Sequence, residues 1–187
     1  MATRCAVLLG TLALLPASAS AQSDLERGLS GALRGCEEWV LNPASWADGP
    51  APFQSTVGLG SMMGLVKDIE DAAKPPASLR QSNRYWRINA TTSAGYILVV
   101  SDRLPMCHIT GGGDADLQPV VEKLLASADF LARWERTESR DMGEMTSTNY
   151  RSRDEPKFSI VISRAKQPGG RRDRVQLIAT ANYSMAN

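Results

Sequence analysis

Residues 84–110, RYWRINATTSAGYILVVSDRLPMCHIT, contain three strand-like segments separated by two turns. Polar and apolar side chains alternate over 84–90, β-branched residues dominate 96–101, and 106–110 has the pattern of a third short strand. Because both intervening turns have hairpin length, this stretch predicts a three-stranded antiparallel meander.

A helix and a second group of strands are predicted after this meander. Gly111–Gly113 is expected to break the sheet, and the next helix is expected to start at Asp116 and end near Asp129. Residues 130–136 fit both helical spacing and strand alternation, so their state stays open. Alternating and β-branched patterns predict three more strands, at 145–151, 157–165 and 174–183.

Two helices are predicted before the meander. The first covers 23–41, where apolar side chains recur every three or four residues. These side chains are Leu25, Leu29, Leu33, Cys36 and Val40. The segment 42–55 is rich in Pro, Gly and Ser and is interpreted as a loop. A second helix is predicted over 60–73, ended by Pro75 and Pro76.

The predicted element order is two helices, three strands, one helix and three or four strands, α-α-βββ-α-βββ(β). Runs of strands with hairpin connections form antiparallel sheets, and helices then cover one face. We therefore expect an α+β fold with an antiparallel sheet of about six to seven strands and helices packed on one face. The two halves share this layout of helix and meander without similarity at the level of residues.

The first 21 residues have the three parts of a secretory signal. Arg4 supplies a positive charge, 6–15 is an apolar run, and the small residues of 19–21 suit signal peptidase. Cleavage after this triplet would start the mature chain at Gln22, and cleavage two residues earlier would start it at Ser20. The apolar run is shorter than the roughly 20 residues that span a bilayer. We therefore predict a periplasmic or secreted protein, cleaved near Ala21.

Composition constrains the mature part, 22–187. Removing 21 of the 187 residues leaves 166, a usual size for a single domain. The full chain carries a formal charge of +1, and loss of Arg4 brings it to zero. Nucleic-acid binders usually carry a basic excess, so nucleic acid is not an expected partner. No apolar run after the signal is long enough to predict a membrane span. No cofactor is predicted.

Cys36 and Cys107 remain after the signal, which contains Cys5, is removed. A lone cysteine pair in an oxidising compartment favours a disulfide. We predict that this bond joins the first helix to the third strand of the meander. A metal site is not predicted, because only His108 lies near enough in sequence to complete it.

His108 is the single histidine and therefore the natural candidate for a general base. Strand alternation directs it away from the face that Cys107 occupies, so we interpret it as a half-exposed strand residue without chemistry. The alternative is a hydrolase-type enzyme with a dispersed site, in which His108 works with Asp102 or Asp114. No other pattern predicts a catalytic residue.

Arg171, Arg172 and Arg174 form a compact basic patch on a glycine-containing hairpin loop. Arg151 and Arg153 would join this patch if the last strands stack side by side. Such a patch suits contact with an acidic surface. It is the candidate contact site that charge alone identifies.

The leading hypothesis is a non-enzymatic exported protein that binds another envelope or secreted protein. Its contact surface would be the open face of the sheet or the basic hairpin. This hypothesis is motivated by the lack of any recognisable catalytic constellation in the sequence. A purely structural role in the envelope is a further alternative, and the oligomeric state is not predicted.

Overall fold

The computed structural model describes residues 17–171 and 175–184, and this part forms an eight-stranded antiparallel sheet with four α-helices. The helices are α1 (Ala17–Leu41), α2 (Pro50–Val57), α3 (Gln118–Leu125) and α4 (Ala128–Arg133). The strands are β1 (Met63–Val66), β2 (Asn83–Ile88), β3 (Ala94–Ser101), β4 (Met106–Gly113), β5 (Trp134–Met142), β6 (Met145–Ser152), β7 (Phe158–Ala165) and β8 (Val175–Tyr183). The predicted α+β class with an antiparallel sheet is confirmed, whereas the predicted count of six to seven strands is wrong.

The sheet consists of two four-stranded meanders that meet in its middle. Its strand order is β1-β2-β3-β4-β8-β7-β6-β5, so β4 and β8 join the halves and β1 and β5 form the edges. The helices α1 and α2 precede the first meander in the chain, and α3 and α4 precede the second. The predicted order therefore lacked the edge strand β1 and one helix before the second meander, and it left the fourth strand of the second half open.

One apolar core joins the helices to one face of the sheet. Every residue of the apolar stripe predicted for α1 is at most 9% exposed. The Tyr96 hydroxyl donates a hydrogen bond to the Leu25 carbonyl at 3.1 Å, and Trp39 Nε1 donates to the Ser101 carbonyl at 2.9 Å. These buried bonds fix α1 along β3. No helix among the described residues is long and apolar enough to cross a bilayer.

The helix predicted over 60–73 is absent, and the strand β1 takes up part of this segment. Met63 pairs with Ile88, and Val66 pairs with Tyr85, in antiparallel register. Gly60 and Gly64 weaken a helix here, and pairing with β2 then outweighs the helical spacing of the apolar residues.

The segment 42–55, interpreted as a loop, contains a 3-10 turn at Pro43–Trp46 and most of α2. Pro50 stands at the start of α2, where its missing N–H costs little. Phe53 is fully buried, because it packs between the Trp39 and Trp86 rings. Proline and glycine therefore mark the ends of this helix and do not exclude it.

The region after the first meander also differs from the prediction. Gly111–Gly113 continues β4 instead of breaking the sheet, with a register shift between Gly111 and Gly112 against β8. The single helix predicted from Asp116 to Asp129 is divided into α3 and α4. The ambiguous segment 130–136 is divided at Trp134, where α4 ends and the edge strand β5 begins.

Residues 67–82, called the strap from here on, connect β1 to β2. The Ser101 hydroxyl donates a hydrogen bond to the Gln81 carbonyl in the strap at 2.5 Å. Ile69 is only 7% exposed without being part of the helix-side core, and Pro75 is buried as well. The strap therefore buries apolar surface of its own.

Candidate functional site

A row of side chains crosses the sheet on the face opposite the helices. Arg87, Ile97, Thr110 and Ile178 are direct cross-strand neighbours on β2, β3, β4 and β8. The residues on either side of Ile97, and those on either side of Ile178, belong to the apolar core that packs against the helices. One of them, Tyr96, also donates a hydrogen bond to α1. Because side chains alternate along a strand, the whole row faces away from the helices.

The strap and this row enclose a cleft of about 860 Å³. Strap residues Ile69, Glu70, Ala72 and Ala73 line one side, and the row lines the sheet side. Gly112 and Val175, at the ends of β4 and β8, and Arg171, from the hairpin before β8, also line it. The volume lies within the roughly 300–1,000 Å³ that ligand sites occupy. We call this the strap cleft.

Four charged residues line the strap cleft: Arg87, Arg171, Glu70 and Asp114. Arg171 is half-buried, and the other three are exposed. The described residues form ten ion pairs, and none of them includes any of these four. Many charged side chains elsewhere in the described residues form ion pairs, whereas the four that line the strap cleft do not.

Arg171 is held in an unusual position. Its φ of 61° lies in the left-handed region that residues other than glycine seldom adopt. The preceding hairpin is tied down, because Gly169 N–H donates to Asp116 Oδ2 at 2.5 Å and Gly170 N–H donates to the Gln167 carbonyl at 3.0 Å. The Nε atom of Arg171 is buried and has no acceptor among the described residues.

His108 lies on the same face as the row but outside the strap cleft lining. It is 3% exposed, more deeply buried than the half-exposed position predicted. Its Nδ1 lies 2.8 Å from the Thr180 hydroxyl, and Nε2 has no partner in the described part of the chain. Burial lowers the pKa of His108 to about 4, so the ring is neutral at neutral pH.

The acids considered as partners of His108 are not brought to it. Asp102 forms an ion pair with Arg84, Nε to Oδ1 2.8 Å, in the turn after β3. Asp114 follows β4 at a position six residues beyond His108, about 20 Å along an extended chain. In the described residues neither carboxylate forms a hydrogen bond with the imidazole, whose one partner is Thr180.

Cys36 and Cys107 lie at disulfide distance, with Cα atoms 5.4 Å apart. They connect the middle of α1 to β4 and are 1% and 0% exposed. Cys107 points into the helix-side core, and His108 points to the other face, as strand alternation predicts.

The structure describes one of the three arginines of the predicted basic patch. Arg171 lines the strap cleft, whereas Arg172 and Arg174 lie outside the described residues. Arg151 does not join the patch, because its Nη2 pairs with Glu135 Oε2 at 2.6 Å on the edge strand β5. Arg153 also lies at that edge, where its Nε donates to the Leu131 carbonyl at 3.4 Å.

Sequence reasoning missed the strap and therefore the cleft. Ile69 was assigned to a helix, although Pro75 and Pro76 beyond it indicated a stretch unsuited to regular structure. Arg87 was visible only as the outward residue of an alternating strand.

Comparison with protein-family models, curated proteins and solved structures finds no match for this chain.

Proposed function

We propose that this chain is an exported, non-enzymatic binding protein that holds an extended segment of another envelope or secreted protein in the strap cleft. One observation carries the proposal: the cleft joins the two surfaces that the sequence suggested separately. Its sheet side belongs to the helix-free face, and Arg171 comes from the basic hairpin.

The lining suits an extended protein segment. Ile69, Ile97 and Ile178 offer apolar contacts, while Gly95 and Gly112 bring main-chain groups to the cleft. Ligand sites usually combine such apolar surface with a few polar groups that fix orientation. The strands beneath the cleft, β2, β3, β4 and β8, are each paired on both sides, so an extended segment would be recognised there through pockets for its alternate side chains and not by strand addition at an edge.

Binding is preferred to hydrolysis because of where His108 lies. A general base must come within hydrogen-bonding reach of the proton that it removes. The His108 ring is enclosed and outside the cleft lining, and its one hydrogen-bonding partner is the Thr180 hydroxyl. A hydrolase built on this residue would need a substrate to displace packed structure first.

Export is part of the proposal and rests on the sequence of residues 1–21. A buried cysteine pair at disulfide distance fits an oxidising compartment. A partner in the same compartment, from the envelope or the secreted fraction, follows from this location.

The proposal is tested with a random library of decapeptides capped at both ends, selected on the oxidised, processed protein. Selected peptides are then titrated into isotope-labelled protein, and amide chemical shifts are followed by NMR. We expect the largest changes in residues 69–73 and in the row that contains Ile97 and Ile178. A library without any binder, or changes centred elsewhere, would reject the proposal.

Two tryptophan variants make this test specific. Ile178→Trp places a larger side chain in the strap cleft and should weaken peptide binding at least about tenfold. Val161→Trp is the matched control, because Val161 lies on the same face of the neighbouring strand, 39% exposed and outside the cleft lining. Equal binding by both variants would place the contact site outside the strap cleft.

A further inference from the structure

We infer that the strap cleft selects segments carrying an acidic side chain, whose carboxylate is bound by Arg171 and Arg87 and flanked by apolar residues. This inference rests on the proposed function and adds the chemistry of the ligand. It depends on two guanidinium groups that line one cleft and lack an anionic partner in the described part of the chain.

Arg171 supplies the first argument. Its Nε–H is out of contact with water and has no acceptor among residues 17–171 and 175–184. A buried donor without an acceptor is destabilising, and native structures contain few of them. A carboxylate in the cleft would satisfy this donor with a charge-assisted hydrogen bond once the Arg171 side chain turns toward it.

Arg87 supplies the second argument from the other end of the row. It is exposed on β2, and β2 and β8 stand three strand positions apart, about 14 Å. Arg171, which precedes β8, and Arg87, which lies on β2, therefore approach the cleft from opposite sides. A carboxylate between them would receive donors from both, since each guanidinium presents several N–H groups in a planar fork.

The other charged residues of the cleft restrict the class of anionic ligand that can bind there. Glu70 and Asp114 also line the cleft, so a dense polyanion such as polyphosphate or nucleic acid would be repelled there. A segment with one acid among apolar residues brings a single negative charge and therefore meets much less of that repulsion. Its apolar neighbours would contact Ile69, Ile97 and Ile178, which line the same cleft.

The test compares capped decapeptides from the library with twins in which each Asp is replaced by Asn and each Glu by Gln. We expect library binders to be enriched in one acidic position and the amide twins to bind at least about tenfold more weakly. Arg171→Gln should abolish most of this difference, and Arg87→Gln should reduce it. Arg103→Gln is the control, because Arg103 is exposed in the turn between β3 and β4 and forms no ion pair among the described residues.

The outcomes separate this inference from the proposed function. Peptides that shift the cleft amides but bind as well as their amide twins would overturn the acid preference and leave the cleft as a binding site. Displacement of bound peptide by inorganic tripolyphosphate, at concentrations similar to those of free peptide, would also overturn it by indicating a general anion site. A library without cleft binders would reject both proposals. Thermal unfolding of each variant identifies any loss of binding that comes from misfolding.

Discussion

Among single residues, His108 shows how burial gives a titratable side chain an effect on stability and no role in catalysis. The ring is enclosed on the helix-free face and hydrogen-bonded only to Thr180 among the described residues. Because the pKa falls from the ordinary 6.5 to about 4 on folding, the unfolded chain binds a proton more readily between these values. A residue that the sequence offers as a base therefore makes stability depend on pH.

We expect the free energy of unfolding to fall by up to about 3 kcal/mol as the pH is lowered from 6.5 to 4. The sign follows because the folded state resists protonation of His108. In His108→Gln this slope should become much smaller between pH 6.5 and about 5, which is above the range in which most carboxylates titrate. Urea unfolding at several pH values measures both proteins. An unchanged slope in the variant would assign the pH dependence to other groups.

Gly111 is required by close packing. A Cβ atom placed there would lie 2.8 Å from the Tyr96 ring, which is itself held by its hydrogen bond to α1. We expect Gly111→Ala to destabilise the fold by about 1–3 kcal/mol. Gly64→Ala is the control, since nothing lies within 4 Å of the corresponding Cβ position in β1, and it should change stability by less than about 0.5 kcal/mol. Urea midpoints compare the two, and equal losses would refute the packing argument.

At the scale of elements, the cysteine pair connects α1 to the central strand β4. Closing a loop between residues 71 positions apart stabilises a fold by about 4 kcal/mol in the chain-entropy model. Cys36→Ala should therefore lower the free energy of unfolding by about this amount under oxidising conditions. After unfolding and refolding in reductant, wild type and variant should differ little. An equal deficit in both conditions would mean that the sulfur atoms contribute only by packing.

The elements that sequence predicted well are those in which one local pattern agrees with the tertiary contacts. The strand 96–101 and the stripe of α1 are of this kind, because their apolar periodicity matches the core that they join. The edge strand β1 was not predicted, and the edge strand β5 was predicted only as one of two alternatives, for physical reasons. β1 has only four residues, and β5 carries charges along most of its length, so neither shows clear alternation. Their structure depends on pairing with a neighbouring strand.

The candidate site was predictable only in fragments. Arg171 was identified from its charge, and the open sheet face was identified from the fold class. Their meeting depends on the register of β8 against β4 and on the path of the strap. Neither is encoded in a local pattern, because both come from contacts between residues distant in the chain.

At the scale of the whole molecule, helices cover one face of the sheet and the strap cleft lies on the other. The strands β3 and β4 are buried on both faces over part of their length, as Val99, His108 and Thr110 on the helix-free side demonstrate. The strand β7, on the other side of β8, keeps Val161 39% exposed on that same face. The strap cleft thus lies where a covered part of the sheet meets an uncovered part.

The most direct test of the central claim is site-specific photo-crosslinking in the native host, followed by sequencing of the crosslinked peptide. A photoreactive amino acid replaces Thr92, an exposed residue of the cleft lining, or Leu131, 54% exposed on α4 and outside that lining. The account predicts a defined adduct from position 92 to an extended, acid-containing segment of an exported protein, and none from position 131. No adduct at position 92, or the same adducts from both positions, would contradict it.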